Sequence, residues 1–523
     1  MKTPLPTRAG FIALFAIAAL ALTSCGIAVP NTDKTTQSGA SHQTIAVGTR
    51  VVAETLDPAQ GSNANNDFYI AAMYDRIVGY DSSGKLVPSL ATKWKYSDDA
   101  KTLSLTLRGD AKFHSGNQLT ADDVVYTLKR LQTLGSGSAG YVTDLASIKS
   151  TSPTEVTLSL KNPDLSFIGA LSLVYVVDSQ LVQKNAGADN GQQWLSNNDA
   201  GSGPYSLNSY TANQQLRLDS FDAYWGGSQG RPSALVLRMI TEPSAIRDEL
   251  KAGNIDVAYG MPSVDVNSFN ADAYNVVSLP TTRVTFGMMN MQGRVTSDVR
   301  VREAIQLAYD YEGHVKTALG GAGQPADAIL PASMDCRVTD KPTQDIPKAK
   351  QLVKDAGAEG ATLSIAYQPV IPEQKVAGTI LEASLRAIGF KVDVRPVTFS
   401  QYLGMISKPD TTPDVAILWD FAPYPSPGPM LNHTWNSANI GTSNFARYSN
   451  PQVDKLLSNG FAATDPDAAC TAFKDAQTQI LKDRPAIPMA YPAIVLVQDK
   501  KLQKIGYDPV SPTFDITLLK LAG

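Results

Sequence analysis

Apolar and polar residues alternate along this chain in two rhythms, and the two rhythms take turns. Residues 44–48 (TIAVG) read as a strand, and Pro58 in TLDPA at 55–59 forces a turn soon after. Residues 67–78 (DFYIAAMYDRIV) carry Phe68, Ala71, Ala72, Ile77 and Val78 at helical spacing, interrupted by Asp75, and predict a helix. Residues 101–107 (KTLSLTL) and 155–160 alternate as strands. Between them, Thr120 and an acidic first turn open a helix that runs to 134. A turn cluster at 201–205 (GSGPY) precedes another strand. From there the grammar is helix, glycine, short strand: 244–252 stopped by Gly253 before 255–258, 346–356 stopped by Gly357 before 362–367, and 374–388 stopped by Gly389 before 391–397. Helices are also predicted at 299–308 and 466–482, and a short buried strand at 414–419 (DVAILW). The class is α/β with mixed sheets.

The first 43 residues follow a different pattern. Lys2 and Arg8 precede a twelve-residue apolar run at 11–22 (FIALFAIAALAL), too short to cross a hydrocarbon core of about 30 Å but right for a signal peptide. The run ends in LTSCG at 22–26, which is similar to a bacterial lipobox, so Cys25 is the expected lipidation site, against an ordinary secretory signal with a chance cysteine. Residues 25–43 are small and polar and read as the lipidated cysteine and a flexible tether after a signal peptide at 1–24. No second apolar run is long enough to span a membrane.

Composition narrows the function. At 523 residues with 43% apolar content the chain is globular and holds more than one structural unit. A formal net charge of -4 lacks the basic excess of a nucleic-acid binder, so no nucleic-acid partner is expected. The four histidines, His42, His114, His314 and His433, stand in no ligand spacing, and neither a metal nor a cofactor is expected. Gly135, Gly137 and Gly140 match a dinucleotide fingerprint in letters only, because they follow a helix instead of a strand. Ser82 to Lys85 match S-x-x-K without the companion motifs and read as a turn. No enzyme is expected.

Short motifs in a fixed order carry the family signal. After the lipobox and TLDPA come MYDRIV at 73–78, LVPSLATKW at 86–94, FHSG at 113–116, LTADDV at 119–124, GSGPY at 201–205 and YWGG at 224–227. VRVREAI at 299–305, AKQLV at 349–353 with Ala356 and Gly357, and Ile487 with Pro488 complete the series. Each is weak alone, but together they resemble the extracytoplasmic solute-binding proteins of the peptide/nickel ABC-transporter class, family 5, over about residues 22–490. The resemblance implies a large type II, two-lobed periplasmic-binding-protein-like clamshell with an extra subdomain in lobe one and a two-strand hinge. By analogy lobe one spans 44–284, with an inserted subdomain at about 68–195, lobe two spans 285–490, and 491–523 return to lobe one.

The function this implies is capture of a small solute, most simply a peptide or peptide-like one, by a monomeric lipid-anchored protein outside the cell membrane. Delivery would be to the membrane subunits of an ABC permease. A ligand-sensing lipoprotein uses the same clamshell, and oligosaccharides, opines and metal chelates are alternative solutes. The richest candidate for the ligand wall is 418–425 (LWDFAPYP), where a buried strand delivers Trp419, Asp420, Phe421 and Tyr424 into a loop; the bland reading is a packed loop with a surface acid. In peptide-binding members the matching loop reads W-x-x-D-Y-P-D-P and its first Asp meets the ligand's α-amino group. Here Pro423 takes that position and Ser426 replaces the second Asp. Tyr367 and Gln368 at a strand end, Tyr491 at the second crossover, and Leu56 with Asp57 at the cleft rim are further candidates, against core, hinge or turn packing. Cys336 and Cys470, both in the implied lobe two, are the cysteines left in the mature chain and are expected to form a disulfide in an oxidising compartment, against two separate buried thiols.

Overall fold

The computed structural model describes residues 44–511 and 513–522; the signal peptide, Cys25 and the tether lie outside the described residues. The chain first lays down β1 (Thr44–Thr49), the hairpin β2 (Val78–Tyr80) and β3 (Leu86–Pro88), and four strands β4 (Ala91–Tyr96), β5 (Thr102–Leu107), β6 (Leu145–Ser152) and β7 (Glu155–Leu160). It continues with β8 (Tyr205–Thr211), β9 (Gln215–Ser220), β10 (Ala234–Met239), β11 (Val257–Tyr259) and β12 (Tyr274–Leu279). Then come β13 (Arg283–Met289), β14 (Gly323–Pro325), β15 (Thr362–Tyr367), β16 (Lys391–Pro396), β17 (Val415–Phe421), β18 (Ala486–Pro492) and β19 (Ile494–Asp499).

Two large mixed sheets organise these strands. The first has the order β12-β19-β11-β1-β10-β9-β8, with β1 parallel to both β10 and β11. The second has the order β14-β18-β13-β17-β15-β16, with β15 parallel to β16 and β17. The chain passes from the first sheet to the second between Leu279 and Arg283 and returns between Pro492 and Ile494. The two crossings are tied to each other, since the Thr281 hydroxyl donates to the Pro492 carbonyl at 2.7 Å. This is the two-lobed α/β fold with a two-strand hinge.

A third unit, the four-stranded sheet β4-β5-β7-β6, packs under the helix Ala121–Leu134. That helix forms where its sequence signals stand. Asp123 accepts from the Thr120 N–H and hydroxyl at 2.8 and 2.9 Å, and Gly135 ends the helix at φ 62°. Its Val124, Leu128 and Leu131 are buried at helical spacing.

The predicted helix at 67–78 is not found at that extent. The helix is Ala64–Ile70, capped by Asn63, and Val78 already belongs to β2. Beyond Ile70 the backbone is claimed by tertiary partners: Gly203 donates to the Met73 carbonyl and Tyr205 to the Ala72 carbonyl. The buried Asp75 accepts from Ser202, Tyr224 and Trp225. These bonds replace the ones a continued helix would make.

In the second lobe the Cys336 and Cys470 sulfurs are bonded, with Cα atoms 5.4 Å apart. The bond ties the segment before the helix Ile346–Asp355 to the helix Pro466–Asp483. Gln477, on the same helix, binds the Cys336 carbonyl and the Val338 N–H. Among the described residues no helix is long and apolar enough to cross a membrane.

Candidate functional site

β17 is a run of apolar residues because it is covered on both faces. It pairs antiparallel with β13, placing Trp419 opposite Thr285, Asp420 opposite Val284 and Phe421 opposite Arg283. Directly opposed residues share a face, and successive residues alternate faces. Trp419 and Thr285 therefore point to one side and Asp420 to the other.

On the first side the polar tips converge on Glu373, at the start of the helix Pro372–Ala387. The Trp419 indole Nε1 donates to Glu373 Oε2 at 2.7 Å, and the Thr285 hydroxyl donates to Oε1 at 2.5 Å. His314, fully buried, brings Nε2 to 3.2 Å from Oε1, and its Nδ1 lies 2.7 Å from the Tyr309 hydroxyl. With the proton on Nε2, the ring donates to the carboxylate and accepts from the tyrosine, so the cluster is satisfied. A buried carboxylate held by three donors fixes the indole in one orientation. One step further out, the Arg283 guanidinium stands 5.3 Å from the centre of the Trp419 ring, and Phe421 is 55% exposed. Trp419, Arg283 and Phe421 thus form a rim of one aromatic ring with a cation near it and a second aromatic open to solvent.

On the other side Asp420 is buried and occupied. It accepts the Thr434 hydroxyl and its neighbour's Phe421 N–H at 2.9 Å, with His433 Nδ1 at 4.0 Å. Burial pushes its pKa up. Its carboxylate faces the helix Pro427–Trp435, away from the side carrying Trp419.

The remaining candidates fall in different surroundings. Tyr424 is buried in the core around β4–β7, although it lies in the loop that follows β17 of the second sheet. A Cβ at Gly169 would stand 2.6 Å from the Tyr424 ring and 2.5 Å from the Tyr80 hydroxyl, so only glycine leaves room for both. Pro425 next to it lies against Gly84 in the β2–β3 turn. Tyr367 packs its ring on Gly378, and Gln368 donates its N–H to Gln374 Oε1 at 3.0 Å. Tyr491 is buried, with its hydroxyl 3.0–3.1 Å from Asp327 Oδ1, the Ala328 and Leu330 carbonyls and Arg337 Nη2. It holds the 327–337 segment to β18. Leu56 is fully buried, and Asp57 binds Arg130 through both oxygens at 2.9 and 2.7 Å while accepting the Ala59 N–H. Trp419 and Phe421 are thus brought together with Arg283 at one rim, with Tyr367 and Gln368 at the end of the parallel strand β15. Asp57, Asp420, Tyr424 and Tyr491 are each engaged elsewhere.

Glu373, Thr285, His314 and Arg283 were not singled out by sequence as site residues. Arg283 and Thr285 stood out only by lying at the implied boundary between the lobes at 284 and 285. Among the described residues no three His, Cys, Asp or Glu side chains gather as a metal site.

A sequence profile of the bacterial extracellular solute-binding proteins, family 5 (middle), matches residues 85–442. The chain belongs to this family. It is 27% identical over 482 residues to the probable D,D-dipeptide-binding periplasmic protein DdpA of Escherichia coli K12, covering 89% of this chain and 92% of that one. It is 24% identical over 491 residues to di/tripeptide-binding protein 1 of Pseudomonas aeruginosa UCBPP-PA14, covering 87% and 90%. The solved structure of HbpA2 from Haemophilus parasuis superposes with a TM-score of 0.82 at 20% identity, over 92% of this chain and all of that one.

Proposed function

We propose that this protein captures a peptide or peptide-like solute between its two lobes and hands it to the membrane subunits of an ABC importer. In this reading it is a monomer tethered outside the cell membrane through a lipidated Cys25, and it releases its solute chemically unchanged. The observation that carries the reading is the Trp419 rim at the carboxyl end of β17, which runs parallel to β15. In open α/β sheets, ligands settle outside the carboxyl ends of the parallel strands. Relatives described as dipeptide- and tripeptide-binding support the solute class.

Recognition of the peptide amine is expected to differ from that of relatives with an acid in the loop. Pro423 stands at the acid's position, and the Asp420 oxygens are engaged by Thr434 and backbone. Capping the amine should therefore cost little. Calorimetric titration with free and N-acetylated tripeptides tests both points. The expected result is binding of both with affinities within about threefold of each other, since no buried ion pair is lost. A loss of more than about a hundredfold on acetylation would show that an amine-pairing acid is present after all.

A further inference from the structure

The Tyr424 ring crosses from one lobe to the other. The chain leaves the first sheet after β1 and rejoins it at β8, building β2 to β7 in between, so the unit on β4–β7 belongs by connectivity to the first lobe. It is also fastened there. Arg130 of its helix binds Asp57 at 2.9 and 2.7 Å, and His114 meets Asp199 at 2.8 Å and the Gly203 carbonyl at 2.9 Å. Tyr424 instead follows β17 of the second sheet, in a short loop anchored at both ends. At one end the Ala422 N–H donates to the Thr282 carbonyl at 3.1 Å. At the other, the helix Pro427–Trp435 buries Met430, Leu431 and Trp435 in the core of the second lobe. The ring between these anchors lies in the core around β4–β7.

Its seat exists because a side chain is missing. A Cβ at Gly169, in the short helix Phe167–Ala170, would stand 2.6 Å from the Tyr424 ring. Gly169 has no positive φ, so the close approach alone calls for glycine. A second touch point adjoins the first. Gly84, in the β2–β3 turn at φ 83°, would bring a Cβ to 2.9 Å from the Ser333 carbonyl oxygen and 3.5 Å from Pro425. Ser333 belongs to the 327–337 segment, which the Cys336–Cys470 bond and the Tyr491 hydroxyl hold to the second lobe. The backbone joins the two sheets at 279–283 and 492–494. The Tyr424 and Gly84 contacts join the lobes a further time, without a covalent bond.

We infer that Tyr424 is a latch between the lobes: its ring seats against Gly169 when the cleft is closed and leaves that slot when the cleft opens. A buried tyrosine hides about 150–250 Å² from water, enough to bias the balance between two lobe positions without locking it. The latch holds whatever the solute is. Small-angle X-ray scattering of the mature, solute-free protein tests it. Tyr424→Ala should raise the radius of gyration above the parent's with unchanged far-ultraviolet circular dichroism. Gly169→Ala, which pushes the ring out from the other side, should do the same and carries the test if Tyr424→Ala does not fold. Tyr424→Phe keeps the ring and should match the parent. A bound tripeptide should leave Tyr424→Ala at least about tenfold faster, because loss of a closing contact falls on the off-rate. A parent-like radius of gyration in the folded variants would overturn the latch and make the contact permanent packing. An increase that Tyr424→Phe shares in full would also overturn it, by assigning the effect to the hydroxyl. If no tripeptide binds, the peptide reading fails and the scattering result alone decides the latch.

Discussion

The two lobes secure their outlying segments by different chemistry. In the first, the Leu56–Asp57 turn is fastened to the helix Ala121–Leu134 by a fully buried bidentate pair with Arg130, at 2.7–2.9 Å. In the second, the Cys336–Cys470 bond fastens the 327–337 segment, and the buried Glu373 meets a tryptophan, a threonine and a histidine instead of an arginine. A carboxylate paired by a guanidinium is saturated and holds the fold. A carboxylate ringed by side chains of the rim orients the rim. Both lobes therefore bury acids, but Asp57 is occupied by an arginine while Glu373 holds the indole of the rim.

The largest effect expected from separating these roles is on the disulfide. Cys336→Ser with Cys470→Ser opens a loop whose closure stabilises by roughly 5 kcal/mol in the chain-entropy model. Denaturant unfolding should show that loss in the second lobe, with a midpoint unchanged in the first. Next comes Asp57→Ala, which leaves Arg130 buried without its partner and should cost about 3–5 kcal/mol. Unfolding should be easier while solute affinity is kept. A drop in affinity at constant fold would instead place Asp57 at the ligand.

The smallest effect is on pH. Burial raises the Asp67 and Asp75 carboxyls to about 6, and hydrogen bonding and charge from Asp199 leave His114 above its usual value despite its own burial. A folded-state pKa above the unfolded one gives stability that is present at low pH and lost as the pH rises through the folded value. All three groups belong to the first lobe and act with the same sign. Its melting temperature should fall between pH 5 and pH 8, and Asp75→Asn should flatten that slope. A melting temperature that rises over this range would contradict the assignment.

How much of this was legible depended on how local the cause was. The helix at 120–134 was legible because Thr120, Asp123 and Gly135 act within one turn of themselves. The helix at 67–78 was not, since its second half is held by Gly203, Tyr205, Ser202, Tyr224 and Trp225 from far along the chain. The helices Phe399–Ile406, Pro427–Trp435 and Pro451–Ala462 went unread; the last two open on proline, which punctuates loops as readily as it starts helices. At the site, the end of β17 was legible as a buried run delivering aromatics. Which of Trp419 and Asp420 faces the rim was not, because a one-residue change of register exchanges them. Only the pairing with Thr285 and Val284 decides it. Glu373 carries no local signal at all, since its partners come from three other elements.

The central claim is that the indole held by Glu373 forms the wall of the solute site, and Trp419→Ala tests it most directly. Titration calorimetry with the tightest tripeptide should show affinity falling by about thirtyfold or more, the loss typical of a buried aromatic anchor. The melting temperature should stay within a few degrees of the parent, as the Trp419 ring is only half-buried. Parent-like affinity in a folded Trp419→Ala protein would contradict the account and move the site away from the end of β17.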